Sequence, residues 1–406
     1  MTKDFRILSL DGGGTWAAIQ VKALIEMYGP DRRGHDVLKQ FDLVAGNSGG
    51  SIVLAGLAID MRLRDIDALF ADAGQRGKIF AKRDFTLRPG GKGGRNSGPI
   101  VDQSGFPRYS TTGKHNGLAE LMGADGQKTL AEIAMNVQQR NGRRTDFLVV
   151  SFDYDRERAH FFRSMPDPAH TIGSPSIASL CDAVHASSTA PILYFDKPAE
   201  VDGRRLWDGA ITGYNNPVLA AVADTLATHR PADDIAVLSI GTGTVRLAES
   251  DSGLAGEKTL MQKRDPQSLL NDVKKMARSV LAEPPSSASY IAHTLLGGRM
   301  PASGAVIDGP VVRLNPMVQP QLNKNGTGWK LPEGLSGAEF AALVRLDMDA
   351  VKQREYELIA ALAKAWIADG VVNQALRCNP LTLEPLIGND TFSGACDAWK
   401  ALAPMR

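Results

Sequence analysis

The stretch Phe41-Asp42-Leu43-Val44-Ala45-Gly46-Asn47-Ser48-Gly49-Gly50 constrains this chain more than any other. Residues 41–45 read as a short buried strand and residues 51–59 as an apolar helix. Between them, Gly46-Asn47-Ser48-Gly49-Gly50 fits G-x-S-x-G, the pattern of a nucleophile elbow. A serine on so sharp a turn takes a strained backbone that lifts its hydroxyl clear of the chain. Glycines two before and two after it remove side chains that would collide. The Gly49 amide, with the helix N-terminus, then points to where an oxyanion would form. In a chain with 41 glycines the bare pattern fits a structural turn equally well. The strand–turn–helix setting makes the catalytic serine the stronger reading.

At 406 residues the chain can bury a large core, and its formal net charge of +1 gives no bulk electrostatic case for nucleic acid. Cys181, Cys378 and Cys396 are odd in number and widely spaced, which suggests neither a disulfide framework nor a zinc site. No metal or cofactor is expected. The N-terminus runs straight into a strand without a signal-like apolar region, and no stretch approaches the length of a membrane span. The expectation is a soluble cytoplasmic protein; export without a cleavable signal stays open.

Residues 5–10 read as a first strand ending in Asp11-Gly12-Gly13-Gly14, with helical spacing over 16–28. Three glycines between a strand and a helix could cradle a phosphate. The Gly-Lys-Ser/Thr ending of a P-loop and the G-x-G-x-x-G spacing are both missing. The alternative is an oxyanion hole built from glycine amides. Residues 65–80 read as helix. Over 74–116 the composition shifts to glycine with Arg76, Lys78, Lys82, Arg83, Arg88, Arg95, Arg108 and Lys114, opposed only by Asp84 and Asp102. This reads as a long basic loop: a solvated excursion, or a flap for anionic headgroups.

Further on, residues 145–152 read as a buried strand pairing with 158–162, and 176–185 as a helix. A short strand over 192–195 and a helix over 218–227 follow. Residues 235–240 form a strong strand ending in Gly241-Thr242-Gly243. Residues 267–281 are amphipathic, residues 338–366 read as one or two helices, and the tail from Val371 has no readable period.

Nucleophilic serine chemistry also needs a base. The candidates are seven histidines and many carboxylates. Asp208 stands out because Gly209 and Ala210 follow it, and small neighbours allow close approach to a serine. An Asp-Gly turn would look the same.

Taken together, the chain resembles the patatin-like phospholipases of bacterial type. The resemblance rests on Asp11-Gly12-Gly13-Gly14, Gly46-Asn47-Ser48-Gly49-Gly50, Ala186-Ser187-Ser188-Thr189-Ala190-Pro191, Asp208-Gly209-Ala210 with Asn216-Pro217, and Leu238-Ser239-Ile240-Gly241-Thr242-Gly243. Each motif is weak alone; five in order are strong. They span residues 5–244. A looser similarity, including Val312-Arg313-Leu314-Asn315-Pro316, reaches about Trp366. The resemblance implies a Ser-Asp dyad without histidine: Ser48 as nucleophile, Asp208 as base, and the amides of Gly12, Gly13, Gly14 and Gly49 as the oxyanion hole. Thr15-Trp16-Ala17 departs from the basic residue and glycine usual after the three glycines, which bears on headgroup preference more than on the dyad. His185 reads as structural.

The expected fold is a three-layer α/β/α patatin-like domain with a central, mainly parallel sheet and a helical C-terminal extension. Residues 1–370 would form the catalytic domain, with lid or cap helices over 245–370 and a tail of open role over 371–406. The expected function is lipid acyl hydrolysis at phospholipid or related esters, with transient contact to a membrane surface. The basic stretch 74–116 or the helix over 267–281 would border the mouth of the Ser48 pocket. One alternative is a Ser-Asp-His esterase using His229 or His293, although only two strands precede Ser48. Another is a catalytically silent adaptor, supported only by Thr15-Trp16-Ala17.

Overall fold

The structure is a computed structural model that describes residues 3–83, 107–165, 176–228, 230–248, 256–262, 266–301, 309–379 and 384–406. The strands that position the site are β1 Phe5–Leu10, β2 Leu43–Gly46, β3 Asp146–Asp153, β4 Arg158–Arg163, β5 Ala199–Val201, β6 Arg204–Asp208, β7 Ile235–Ile240, β8 Thr244–Val245 and β9 Val311–Leu314; among the described residues five short ones follow in two-stranded pairings. All of the named strands but β8 join one eight-stranded sheet, ordered β5-β6-β3-β2-β1-β7-β9 with β4 also paired to β3. The run β3-β2-β1-β7-β9 is parallel. The pairs β3·β4, β3·β6 and β5·β6 are antiparallel.

The sequences of β2 and β7 are apolar without alternation because both sheet faces are covered. Ile7, Leu43, Ala45 and Val237 pack with the helix Val218–Ala227 and the end of the helix Leu269–Leu295. Leu8, Leu10, Val44 and Leu238 belong to the opposite layer, with the helices Ala18–Tyr28, Gly49–Ala58 and Gln353–Ile367. Successive side chains point to opposite faces, so each face of the sheet presents its own apolar set to a helical layer and three layers result.

Register decides where the motifs meet. Leu10 lies opposite both Gly46 and Ile240, and Ile240 opposite Leu314. The loops that begin at Asp11, Asn47, Gly241 and Asn315 therefore leave from one sheet edge. Asp208 pairs with Ser151, two residues beyond the Val149 that faces Gly46, and so ends β6 at that same edge. Carboxyl edges of parallel strands are where α/β proteins hold ligands.

Several local expectations change. Residues 192–195 form a turn, with Ile192 at φ 66°, instead of a strand. The centre of the basic stretch lies outside the described residues, but its flanks are helices: Ala73–Ile79, capped by Asp72, and Thr111–Met122, capped by Ser110. Arg76 and Lys114, counted above as loop cations, are buried. Residues 338–366 form two helices, one of the two readings left open above: Gly337–Leu343 and Gln353–Ile367, with Ala350 at φ 36° between them. The tail carries the helix Phe392–Leu402, whose Trp399 stacks on Phe41 at 5.8 Å, and Arg406 Nη1 meets Asp42 Oδ2 at 3.0 Å. No helix among the described residues is long and apolar enough to cross a membrane.

Candidate active site

Ser48 sits between β2 and the helix Gly49–Ala58 at φ 48°, ψ −122°, a conformation that L-residues seldom hold outside functional turns. The turn has no room for side chains beside it. A Cβ on Gly50 would come within 2.3 Å of the Leu10 carbonyl oxygen, and one on Gly46 within 3.0 Å of the Gly50 oxygen. The Ser48 amide donates to Ser187 Oγ at 2.9 Å, and Ser187 Oγ donates to Asn47 Oδ1 at 3.3 Å.

Asp208 is 2% exposed. Its amide donates to the Thr189 carbonyl at 2.8 Å, and its Oδ1 accepts from Asn47 Nδ2 at 3.1 Å and from the Ala210 amide at 2.9 Å. Burial raises its pKa above the ordinary aspartate value. The Ser48 hydroxyl, the Ala210 amide, Asn47 and the charge of Lys114 pull the other way. Among the described residues Oδ2 makes no hydrogen bond of full geometry, although the Ser48 hydroxyl is close enough to stabilise the carboxylate as a donor. Nucleophile–base contacts are commonly this loose before substrate binds.

The four glycines expected around the oxyanion divide by role. The Gly12 amide is committed to the Asn215 carbonyl at 2.8 Å, so its proton is not open to an oxyanion. Its smallness still matters: a Cβ there would lie 3.0 Å from Ser48 Cβ. The amides of Gly13, Gly14 and Gly49 donate to no group among the described residues. A Cβ on Gly49 would fall 3.0 Å from the Gly14 nitrogen, so the loop and the helix N-terminus are in direct contact.

Two anchors escaped the motif reading. Asp11, at the head of the glycine loop, makes a buried fork-to-fork pair with Arg313, at 3.0 Å from Nη1 to Oδ1 and 2.6 Å from Nη2 to Oδ2. Arg313 Nη1 also donates to Ser239 Oγ at 2.7 Å. The second anchor is the departure noted at Thr15-Trp16. The Thr15 amide donates to the Met348 carbonyl at 3.0 Å, the Thr15 hydroxyl to the Asp349 carbonyl, and Trp16 Nε1 to the Asp347 carbonyl at 3.1 Å. These residues grip a strap, 347–349, that lies over the site.

The strap is also tied from outside. Arg108 Nη1 meets Asp349 Oδ2 at 2.7 Å and Asp347 Oδ2 at 3.1 Å. The Tyr109 hydroxyl donates to Asp349 at 2.6 Å and the Tyr194 hydroxyl to Asp347 at 2.9 Å. Beneath it, Ser48, Ile52, Phe80, Tyr194 and Met348 help line a cavity of about 20 Å³, room for about one water and for no acyl chain. Ile79 and Phe80, from the start of the 74–116 stretch, border it as expected. No described residue of the helix Leu269–Leu295 does; the Pro285 carbonyl and Ser289 instead hold Asn216.

Among the described residues no histidine bonds to Ser48 or Asp208. Burial and the nearby Lys114 hold the His185 ring far below its ordinary pKa, in keeping with a structural role. His229 lies outside the described residues. Among those described, no group of three His, Cys, Asp or Glu could hold a metal.

The fold and this edge define an α/β protein built around a nucleophile-elbow turn. Residues 8–222 match the family model described as patatin-like phospholipase, and the chain belongs to that family. It is 26% identical over 247 residues to a "cGAMP-activated phospholipase" of Pseudomonas aeruginosa, covering 59% of this chain and 63% of that protein. It is 28% identical over 247 residues to a "cUMP-AMP-activated phospholipase" of Escherichia coli, covering 59% and 64%. An "Intracellular phospholipase A2" of Caenorhabditis elegans is 26% identical over 224 residues, 55% of this chain and 17% of that protein. The chain thus spans somewhat under two thirds of the length of the two bacterial relatives.

Proposed function

We propose that the chain is a lipid acyl hydrolase working through Ser48 and Asp208. Asp208 takes the Ser48 proton as Oγ bonds to the ester carbonyl carbon. The amides of Gly13, Gly14 and Gly49 receive the oxyanion. The carbon–alkoxide bond then breaks, and the proton on Asp208 goes to the leaving oxygen. Water cleaves the acyl-serine by the same path in reverse, returning the proton to Ser48. The observation that carries this reading is a fully buried carboxyl, with one oxygen left without a full partner, beside a serine on a strained turn. Family membership supports a lipid ester as substrate.

The cavity of about 20 Å³ beside Ser48 is small for an acyl chain, and displacement of residues 347–349, whose Met348 lines it, is the opening step of this reading. Relatives whose names call them activated phospholipases support a resting form of this kind. The test is hydrolysis of a short soluble acyl ester and of phospholipid vesicles by the wild type, Ser48→Ala and Asp208→Asn. Both variants should lose both activities while remaining folded. Retention by Ser48→Ala would remove the reading.

A further inference from the structure

Lys114 lies in the helix Thr111–Met122 with no exposed surface, within the stretch where composition suggested a solvated basic loop. Its Nζ contacts three oxygens: the His185 carbonyl at 2.9 Å, Ser188 Oγ at 3.1 Å and Thr189 Oγ1 at 2.6 Å. Each of the two hydroxyls has a backbone carbonyl within reach for its own proton. Ser188 Oγ donates to the Val184 carbonyl at 2.7 Å, and Thr189 Oγ1 to the His185 carbonyl. All three partners are therefore acceptors toward lysine. Three acceptors need three N–H donors, which an ammonium has and a neutral amine lacks. The Phe195 ring, 4.3 Å from Nζ, adds a cation–π contact on another side.

The turn that Lys114 clamps carries both reacting groups. Thr189 holds the amide of Asp208, and Ser187 holds the amide of Ser48. We propose that Lys114 is a protonated counter-charge to Asp208, holding the proposed base ionised and, through the 185–189 turn, fixing its position against Ser48. The proposal rests on the Ser48–Asp208 reading only for its catalytic consequence; the charge coupling stands without it. Lys114 is a positioning residue, since it touches neither Ser48 nor the Asp208 carboxyl by hydrogen bond.

Burial opposes the charge, pushing Lys114 well below the ordinary lysine range, while Asp208 and Cys181 act to restore it. On the other side, Lys114 lowers the raised pKa of Asp208. The remaining groups nearby are the His185 ring, kept neutral by burial, the half-exposed His115–Asp182 pair, and Lys197, which acts on His185. Of these surroundings, Asp208 is the buried carboxylate whose charge acts on the lysine, and Thr189 bonds to both residues. An ammonium meets these oxygens with both hydroxyls as they stand, whereas a neutral amine would need the Ser188 hydroxyl to turn from the Val184 carbonyl and donate to its lone pair.

Two measurements test this on the intact chain. The first is nitrogen NMR of lysine side chains in the wild type and in Asp208→Asn, with Lys114 identified by its response to Thr189→Val. The expected result is an ammonium at pH 7 whose pKa falls by about one unit or more when the anion is removed. A neutral amine at pH 7, or no response to Asp208→Asn, would overturn the proposal whether or not the chain hydrolyses esters. The second is the pH profile of kcat/KM on a short soluble ester for Lys114→Met and Lys114→Arg. Lys114→Met should move the acid limb up by about one pH unit, and Lys114→Arg should leave it near the wild-type position. Equal activity loss in both variants with an unmoved acid limb would mean that Lys114 serves packing alone. If Lys114→Met does not fold, the NMR comparison decides. An inactive wild type would count against the Ser48–Asp208 reading and leave the NMR result intact.

Discussion

Asn47 Nδ2 donates to Asp208 Oδ1 at 3.1 Å, so the residue before the elbow serine holds the carboxyl that faces it. The same side chain accepts from Ser187 Oγ at 3.3 Å, which in turn receives the Ser48 amide. One amide side chain therefore links the Ser48 turn, the 185–189 turn and the proposed base. Asn47→Ala should lower kcat on a soluble ester by about tenfold to a hundredfold, roughly 1.4–2.7 kcal/mol of barrier. KM should change little, because Asn47 lines no part of the cavity. An unchanged kcat would show that Asp208 needs no such support.

The pH dependence follows from the environment of Asp208. Burial raises its pKa, and only the carboxylate can act as base. Hydrolysis should therefore rise with pH along an acid limb set above the ordinary aspartate range. The sign for stability is opposite: the native carboxyl holds its proton more tightly than the unfolded chain does. Its contribution to stability is full below the unfolded pKa and declines as pH climbs through the native one. A soluble-ester rate flat down to the ordinary aspartate pKa would contradict this account of the base.

The strap predicts a gain of function. Arg108 ties Asp347 and Asp349 together, and Met348 lies in the cavity wall between them. Asp349→Asn should weaken the tie and raise turnover of a long-chain ester severalfold, with a smaller effect on a short one. Lower activity on both substrates would assign the strap to holding Thr15 and the glycine loop.

His293 discriminates between dyad and triad. It is buried, its ring nitrogens make no hydrogen bond of full geometry among the described residues, the Arg299 backbone lies close enough to act on the ring, and Gly298 and Gly309 pack against it. His293→Ala should cost stability through a cavity, about 2 kcal/mol, and spare kcat in the folded fraction. Loss of kcat at full folding would favour a histidine base.

How much of this was legible in the sequence depends on the range of each interaction. Gly46, Gly50 and Ser48 announce themselves because a tight turn dictates its own residues locally. The strands β1, β2 and β7 were legible because burial on both faces removes alternation. Lys114 was not. Charged residues are rarely buried, so a lysine in a basic run reads as surface, and only contacts 71 to 75 positions away reverse that. Arg313 and Asp11 are 302 residues apart, and nothing local marks them as a pair. The strap was hidden inside a stretch of helical composition; Asp347-Met348-Asp349 breaks it because Thr15, Trp16, Arg108 and Tyr194 capture the backbone and carboxylates. Thr15-Trp16-Ala17, which read as the loss of a basic residue, is in the fold the partner of that strap.

The proposed activation of Ser48 by Asp208 is tested most directly by covalent labelling with a fluorophosphonate probe, with the modified residue located by peptide mass spectrometry. Wild type and Asp349→Asn should both be labelled at Ser48, the second faster. Asp208→Asn should be labelled at least about a hundredfold more slowly, in the range expected for loss of a positioned base. No label on Ser48 in either wild type or Asp349→Asn, or a rate indifferent to Asp208→Asn, would contradict the account.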